Sequence, residues 1–456
     1  MPGPSAARTG CVRWAFCPEI RGFKRPPARG GAEKRLHSAP SGAVSPRRCI
    51  RGRVRDGASP GRPLTQKKTA LKKLAQPGKA GSGCGMTCGF FNTLLFVARN
   101  PLLSACRCLG GKVLQVIFGL MVLGASAAFA EDARFEAVDI AGKLLEGNPL
   151  GDPVRRRVAV CAASNVLPGA RLRTVYYLPG YGSSSEDFLG GAGRGFVRAV
   201  EQLAGEGVPC RLVVVDCRNR WGGSQYLNSS AQGNYADYVL DEIIPEIERR
   251  FGAPPSAEDR IVAGHSSGGF GALRLALMRG DSFGAVVALS PDTDFEVTHR
   301  GLVERGARHV SEKQLAGYKA PADRCIRPQS GLVEMVLGLS AAYAPKGPAA
   351  PGDFEWPYDA SGRWRPEVWQ RWLDADPVGI LRKNRHAFAP HHRVYLDGAE
   401  HDEFLAQKGA RTLRDLIAPP TQVEFLETPG AHSDHMAARF ARGMEWVAGK
   451  KPRRLP

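Results

Sequence analysis

Short apolar runs rich in β-branched residues recur along the second two-thirds of the chain, each bounded by glycine, proline or polar residues. Residues 158–162, 174–178, 212–215, 261–263, 286–289, 394–396 and 423–426 are such runs, and each predicts a strand. Helical patterns lie between several of them. Residues 235–251 place Val239, Ile243, Ile244 and Ile247 on one helix face behind Asn234 as N-cap. Pro245 predicts a kink or local break there, because proline has no N–H and crowds the preceding turn. Residues 270–278 read as a second helix. Strands alternating with helices predict an α/β fold: a mostly parallel central sheet with helices on both faces. Residues 295–375 break this rhythm with a Gly/Pro/Ala stretch at 341–352. The aromatic cluster Phe354, Trp356, Tyr358, Trp364, Trp369 and Trp372 follows. We read this region as an insertion between core strands, with the regular pattern resuming near Asp376-Pro377.

The first part of the chain has no such pattern. Residues 1–85 are rich in Arg, Lys, Pro, Gly, Ser and Ala and cannot bury enough apolar surface to offset their ordering entropy. Residues 1–111 are therefore expected to be a basic, disordered extension, and Met86 is a candidate internal start. Residues 112–130 read as a signal peptide: Lys112, an uncharged apolar stretch, then Ala128-Phe129-Ala130 followed by Glu131 and Asp132. The competing reading is a membrane anchor; the small residues at the cleavage site and the acids after them favour removal. The mature body is then residues 131–456, placed outside the cytoplasm by cleavage near Ala130, with membrane association only through an uncleaved signal segment.

Charge follows the same division. The chain carries a net +19, but residues 1–130 hold 22 Lys+Arg against 3 Asp+Glu, whereas residues 131–456 hold 41 of each sign. The body is charge-balanced, so nothing in its overall field favours a nucleic acid partner. Its four cysteines, Cys161, Cys210, Cys217 and Cys325, allow one or two disulfides in any of three pairings, or buried thiols.

The chemistry centres on Gly264-His265-Ser266-Ser267-Gly268, where an apolar strand runs through a tight turn into a helix. Glycines on both sides of the serine permit the close backbone approach that such an elbow needs. A serine hydroxyl needs a contacting base and an acid that orients the base, and after an elbow of this kind the order is Ser, acid, His. His432 is the expected base, on a glycine-containing loop after the last predicted strand, with His435 its neighbour. Asp402 is the expected acid, after the penultimate strand. Asp397, Glu400 and Glu403 compete locally, and Asp292 and Asp294 occupy the alternative strand end. The oxyanion donors are expected to be the backbone N–H groups of Ser267 and Tyr181, with Gly182 next.

These residues carry a resemblance. Leu178-Pro179-Gly180-Tyr181-Gly182, Gly222-Gly223-Ser224-Gln225-Tyr226, residues 264–277, the Leu396-Asp397-Gly398 to Phe404 segment and Pro429-Gly430-Ala431-His432 occur in the order found in an esterase family. It is the family of α/β hydrolases that includes S-formylglutathione hydrolases, feruloyl and enterochelin esterases and mycolyltransferases. The resemblance spans about residues 170–440. It implies an α/β-hydrolase fold with an inserted cap region, ester hydrolysis through an acyl-enzyme, no cofactor, and a triad of Ser266, Asp402 and His432. It also implies that Gly182, Gly223 and Tyr226 line the substrate pocket. Two positions depart from the family: Ser267 stands where methionine is common, and Ala431 to His435 replace a more aromatic pattern.

The expected substrate is a small-molecule or carbohydrate ester. The aromatic insertion is expected either to cap the site or to form a small core of its own. Acyl transfer to a sugar or alcohol would use the same triad, and a catalytically silent envelope binding protein is a reading of another class. A metal site built from His391, His392, His401, His432 and His435 lacks any HExxH-like spacing, so no metal is expected.

Overall fold

Each predicted run forms a strand in the computed structural model, which describes residues 134–455 except 165, 167–170, 255 and 322. The basic extension at 1–111 and the signal segment at 112–130 lie outside the described residues. Among the described residues the main sheet has eight strands: β1 (Glu136–Ile140), β2 (Arg156–Ala162), β3 (Arg173–Leu178), β4 (Cys210–Val214), β5 (Arg260–His265), β6 (Ala285–Leu289), β7 (Arg393–Ala399) and β8 (Gln422–Thr428). Their spatial order is β1-β2-β4-β3-β5-β6-β7-β8. β1 with β2 and β2 with β4 are antiparallel; every later pairing is parallel. β1 escaped the pattern reading because only Val138 and Ile140 of Glu-Ala-Val-Asp-Ile are buried, as suits a half-covered edge strand.

The main helices are α1 (Arg194–Gly205), α2 (Tyr235–Asp237, Tyr238–Ile243 and Ile244–Phe251 in continuous succession), α3 (Ser267–Met278), α4 (Gly331–Tyr343), α5 (Pro366–Ala375), α6 (Ala406–Leu416) and α7 (Met436–Val447). One face of the sheet packs against α2, α3 and α6, where Val239, Ile243, Leu273 and Leu413 are fully buried. The other packs against α1 and α7 through Val200, Leu203, Phe440 and Met444. Each fully buried side chain of this kind contributes about 1.5–3 kcal/mol. In α2 the break expected at Pro245 takes the form of a wider π turn over Tyr238–Ile243, immediately upstream.

Residues 295–375 lie between β6 and β7 and are largely helical. Their aromatic rings form a third core. Phe354, Trp356, Tyr358, Trp369 and Trp372 are buried together with Trp221, Phe270, Phe295 and Tyr343, and Trp364 packs against them. Those ring faces are consumed by one another; Trp369 and Trp372, for example, lie 5.5 Å apart. An open aromatic wall over the site is not how this cluster is used.

Cys161, Cys210 and Cys217 are buried thiols, and burial pushes Cys161 and Cys210 up to about 12. Among the described residues no helix is long and apolar enough to cross a membrane.

Candidate active site

β5 delivers Ser266 into a strained turn with φ 57 and ψ −123, a left-handed conformation that costs a non-glycine residue about 1–3 kcal/mol. Three backbone hydrogen bonds hold it there. The Ser266 N–H donates to Leu289 O at 3.0 Å, and the N–H groups of Phe270 and Asp292 donate to Ser266 O at 2.9 and 3.2 Å. The flanking glycines are required by contact: a Cβ on Gly268 would sit 1.8 Å from Leu178 O, and one on Gly264 would sit 2.2 Å from Gly268 O. Ser267 opens α3, so its N–H is one of the first-turn donors that a helix leaves unpaired.

Asp402 and His432 come from the loops after β7 and β8, which are stitched together. The Glu400 N–H donates to Thr428 O and the His401 N–H to Gly430 O. His432 Nδ1 lies 2.7 Å from Asp402 Oδ2, and both side chains are buried. The Phe404 N–H donates to Asp402 Oδ1, which fixes the carboxylate plane. Burial acts to raise the Asp402 carboxyl, but the contacts from His432, with those from Ser290 and the Phe404 N–H, together outweigh it and hold the group below its ordinary range. A carboxylate at Nδ1 leaves Nε2 as the basic nitrogen. Nε2 is buried with no hydrogen-bond partner among the described residues. Phe404 packs against the ring at 4.8 Å and His265 at 4.6 Å. His435, the alternative base, falls at φ 56 ahead of α7 and stands outside this pairing.

Beneath His432 lies a support the sequence reading missed. Arg439 is fully buried in α7 and donates to both oxygens of Asp397, from Nε at 2.9 Å and Nη2 at 2.7 Å. Its Nη1 donates to His432 O at 2.9 Å, and Nη2 also donates to Ser290 Oγ at 2.7 Å. His265 Nε2 approaches the same His432 carbonyl at 3.1 Å. A carbonyl only accepts, so His265 presents an Nε2–H there, and burial keeps its imidazole well below the usual range and neutral. The signal was available: Arg439 and Arg442 are spaced i, i+3 on a helix whose neighbouring positions, Phe440 and Met444, face the core.

The turn after β6 carries a second carboxyl. The Ser266 hydroxyl donates to Asp292 Oδ1 at 3.3 Å. Asp292 faces His299 Nε2 at 3.9 Å, and burial raises the Asp292 carboxyl while lowering the His299 imidazole. Asp376, at the end of the insertion, clamps this turn by accepting from the N–H groups of Asp294 and Phe295 and from Thr293 Oγ1. Burial pushes Asp376 up to about 6 despite those donors.

The loop after β3 meets Ser266 directly, since a Cβ on Gly180 would lie 3.4 Å from Ser266 Cβ. The Tyr181 N–H has no acceptor among the described residues, whereas the Gly182 N–H donates to Gly222 O at 2.9 Å. The Tyr181 ring lies over Gly222 and Gly223, where side chains would collide with it, and its hydroxyl donates to Trp221 O. Tyr226 is buried, and its hydroxyl donates to Pro179 O at 2.6 Å, bracing the same loop. A narrow cleft is lined by Gly180, Tyr181, Gly223, Gln225, Tyr226 and Ser267, among others; Gly182 is not part of its wall.

Among the described residues no group of three or more His, Cys, Asp or Glu is placed to hold a metal ion. His391 and His392 instead face the carbonyls of Phe283 and Gly280.

Comparison with known proteins gives three results. No curated protein matches the chain. Solved structures with a similar arrangement include the fluorophosphonate-binding serine hydrolase FphF of Staphylococcus aureus, at 15% identity and TM-score 0.41, covering 69% of this chain and 98% of that one. An S-formylglutathione hydrolase from Agrobacterium tumefaciens is similar at 16% identity and TM-score 0.43, covering 70% and 96%. MPT51 (FbpC1) of Mycobacterium tuberculosis is similar at 16% and 0.41, covering 69% and 98%. The model of the family described as "Putative esterase" matches residues 159–441, more than half of the chain and the whole span from β2 into α7. The chain belongs to that family and is a carboxylic ester hydrolase of α/β fold.

Proposed function

We propose that this protein is a serine esterase acting on small-molecule esters through an acyl-enzyme. Ser266 Oγ attacks the ester carbonyl. His432 Nε2 takes the hydroxyl proton and returns it to the leaving alcohol, then activates the water that releases the acid. Asp402 holds the imidazole in the required tautomer and stabilises its protonated form. The N–H groups of Tyr181 and Ser267 receive the negative oxygen of the tetrahedral intermediate, each contributing roughly 3–4 kcal/mol. Gly223 and Tyr226 shape the cleft next to that oxygen. No cofactor enters this scheme. In the resting enzyme the Ser266 hydroxyl donates to Asp292, so attack requires rotation of the serine side chain toward Nε2.

The observation that carries the proposal is the buried 2.7 Å contact between His432 Nδ1 and Asp402, with Nε2 left without a partner and the ring 4.6 Å from that of His265, the residue before Ser266. A fluorophosphonate probe is expected to label the protein, and Ser266→Ala is expected to abolish both labelling and hydrolysis of a short-chain ester. Labelling that persists in the variant removes Ser266 as nucleophile. The proposal includes export with cleavage after Ala130; the mass of the mature chain tests it, and a chain beginning elsewhere than Glu131 refutes it.

A further inference from the structure

The cleft beside Ser267 contains a side chain that the scheme above does not use. Gln225 lies in the loop between β4 and α2 and is 1% exposed. Neither its Oε1 nor its Nε2 has a hydrogen-bond partner among the described residues. A buried amide without partners forfeits about 1–3 kcal/mol, and native folds rarely leave one so. The loop gives this side chain no easy exit. Gln225 and Tyr226 both have φ 54, the Tyr226 N–H donates to Ser224 Oγ, and Gln232 Nε2 donates to Ser224 O. Tyr226 is further fixed by its bond to Pro179 O.

The second observation is the cleft itself. It admits a group about the size of one water, and Gln225 and Ser267 are both among the residues that line it; Ser267 Oγ is likewise buried and without a partner among the described residues. An amide offers a donor and an acceptor, and a serine hydroxyl offers either. The complementary group is therefore small, neutral, and able to donate and accept at once. A methyl group would leave Gln225 and Ser267 unpaired, and a carboxylate could accept from the amide N–H and the hydroxyl but would leave Oε1 without a donor. Arg218, at the edge of the cleft, is exposed and directs Nη1 at Gly182 O, so it does not turn this into a buried anion receptor.

We infer that Gln225 and the Ser267 hydroxyl form a subsite for a hydroxyl group of the substrate, making the enzyme selective for hydroxylated esters. This rests on the assignment of Ser266 as nucleophile and names the substrate class of that site. A hydroxyl on the acyl chain and one on the alcohol portion share this chemistry, and the substrates separate them.

The experiment compares kcat/KM for methyl glycolate with methyl propionate, and for 2-hydroxyethyl acetate with propyl acetate. The wild-type enzyme is expected to prefer the hydroxylated member of one pair by about 10- to 100-fold. Q225M, which keeps the volume and removes the amide, is expected to collapse that ratio; because the readout is a ratio, any general loss of activity cancels. The responding pair identifies the side of the ester that carries the hydroxyl. Equal rates within both pairs in the wild-type enzyme overturn the inference, and this arm needs no variant to fold. A preference that survives in Q225M overturns it as well. Hydrolysis of these esters by Ser266→Ala would instead remove the nucleophile assignment, so the two failures are distinguishable.

Discussion

Two walls meet at Ser266, and they handle buried polarity in opposite ways. The wall at the ends of β7 and β8 pairs its charges. Asp397 receives the Arg439 guanidinium on both oxygens, and Asp402 receives His432 at 2.7 Å. The wall after β6 carries Asp292 and His299, also buried, but 3.9 Å apart and with both ionisations opposed by burial. A buried charge is tolerable when its lone pairs and protons are matched geometrically; otherwise the group retreats toward its neutral form. The first wall can therefore hold a base in one orientation. The second offers the resting serine a partner whose charged form burial disfavours.

The largest effect should come from the paired wall. D402N keeps the shape but replaces the acceptor at His432 Nδ1 with an amide, and kcat on a short-chain ester is expected to fall by about 10⁴-fold. A fall of less than about tenfold would move the orienting role elsewhere, with Asp292 the first candidate. Next comes the support beneath it. R439M strips the two-pronged guanidinium from the buried Asp397 carboxylate, leaving it only Arg442 Nη2 at 3.4 Å and the Ser290 N–H, and removes one of two donors to His432 O, at an expected cost of about 3 kcal/mol in denaturant unfolding. A cost under about 1 kcal/mol would show the pair to be dispensable. The double variant R439M/D397L sharpens this: it is expected to recover much of the stability while activity stays low, because the His432 carbonyl still lacks its clamp.

On the Ser266 side the constraint is steric. G268A would drive a Cβ into Leu178 O, and the expected cost is about 1–3 kcal/mol, read from the urea midpoint. Unchanged stability would mean that the elbow is less closely packed against β3 than the contact requires.

This contrast also explains what the sequence made legible. The strands could be read because apolar runs punctuated by turn residues have few other uses, and Ser266, Asp402 and His432 could be ordered because the elbow fixes their succession. β1 could not, since its alternation is that of any half-exposed segment. The aromatic residues of the insertion were visible as a cluster, but whether rings face a ligand or each other depends on packing across more than a hundred residues. Phe270 and Trp221 reach that core from outside the insertion. Asp397 was visible as an acid near the site, yet it lies on strand β7 and its partner lies 42 residues away on helix α7. Asp292 was visible as a strand-end acid, but its contact with Ser266 Oγ depends on Asp376 clamping the intervening turn from the far end of the insertion.

The smallest expected effect isolates the unpaired wall. Burial raises the Asp292 carboxyl above its unfolded-state value, so its favourable contribution to stability is fully present below the unfolded value and is lost as pH rises through the folded one. At neutral and alkaline pH, folding must then either hold a proton on Asp292 or bury its charge. D292N removes that burden while retaining the shape and an oxygen to accept from Ser266. The variant is expected to melt a few degrees higher than the wild-type protein near pH 8, with the difference shrinking toward zero near pH 4. Asp402 moves the other way: its lowered carboxyl contributes stability above its unfolded value that is lost as pH falls through the folded one, so D402N should lose stability at neutral pH and converge with the wild type in acid. Melting curves of the two variants across pH 4–8 should therefore diverge from the wild type in opposite directions. If both variants shift the same way, the two carboxyls share one environment and the distinction between the walls is wrong.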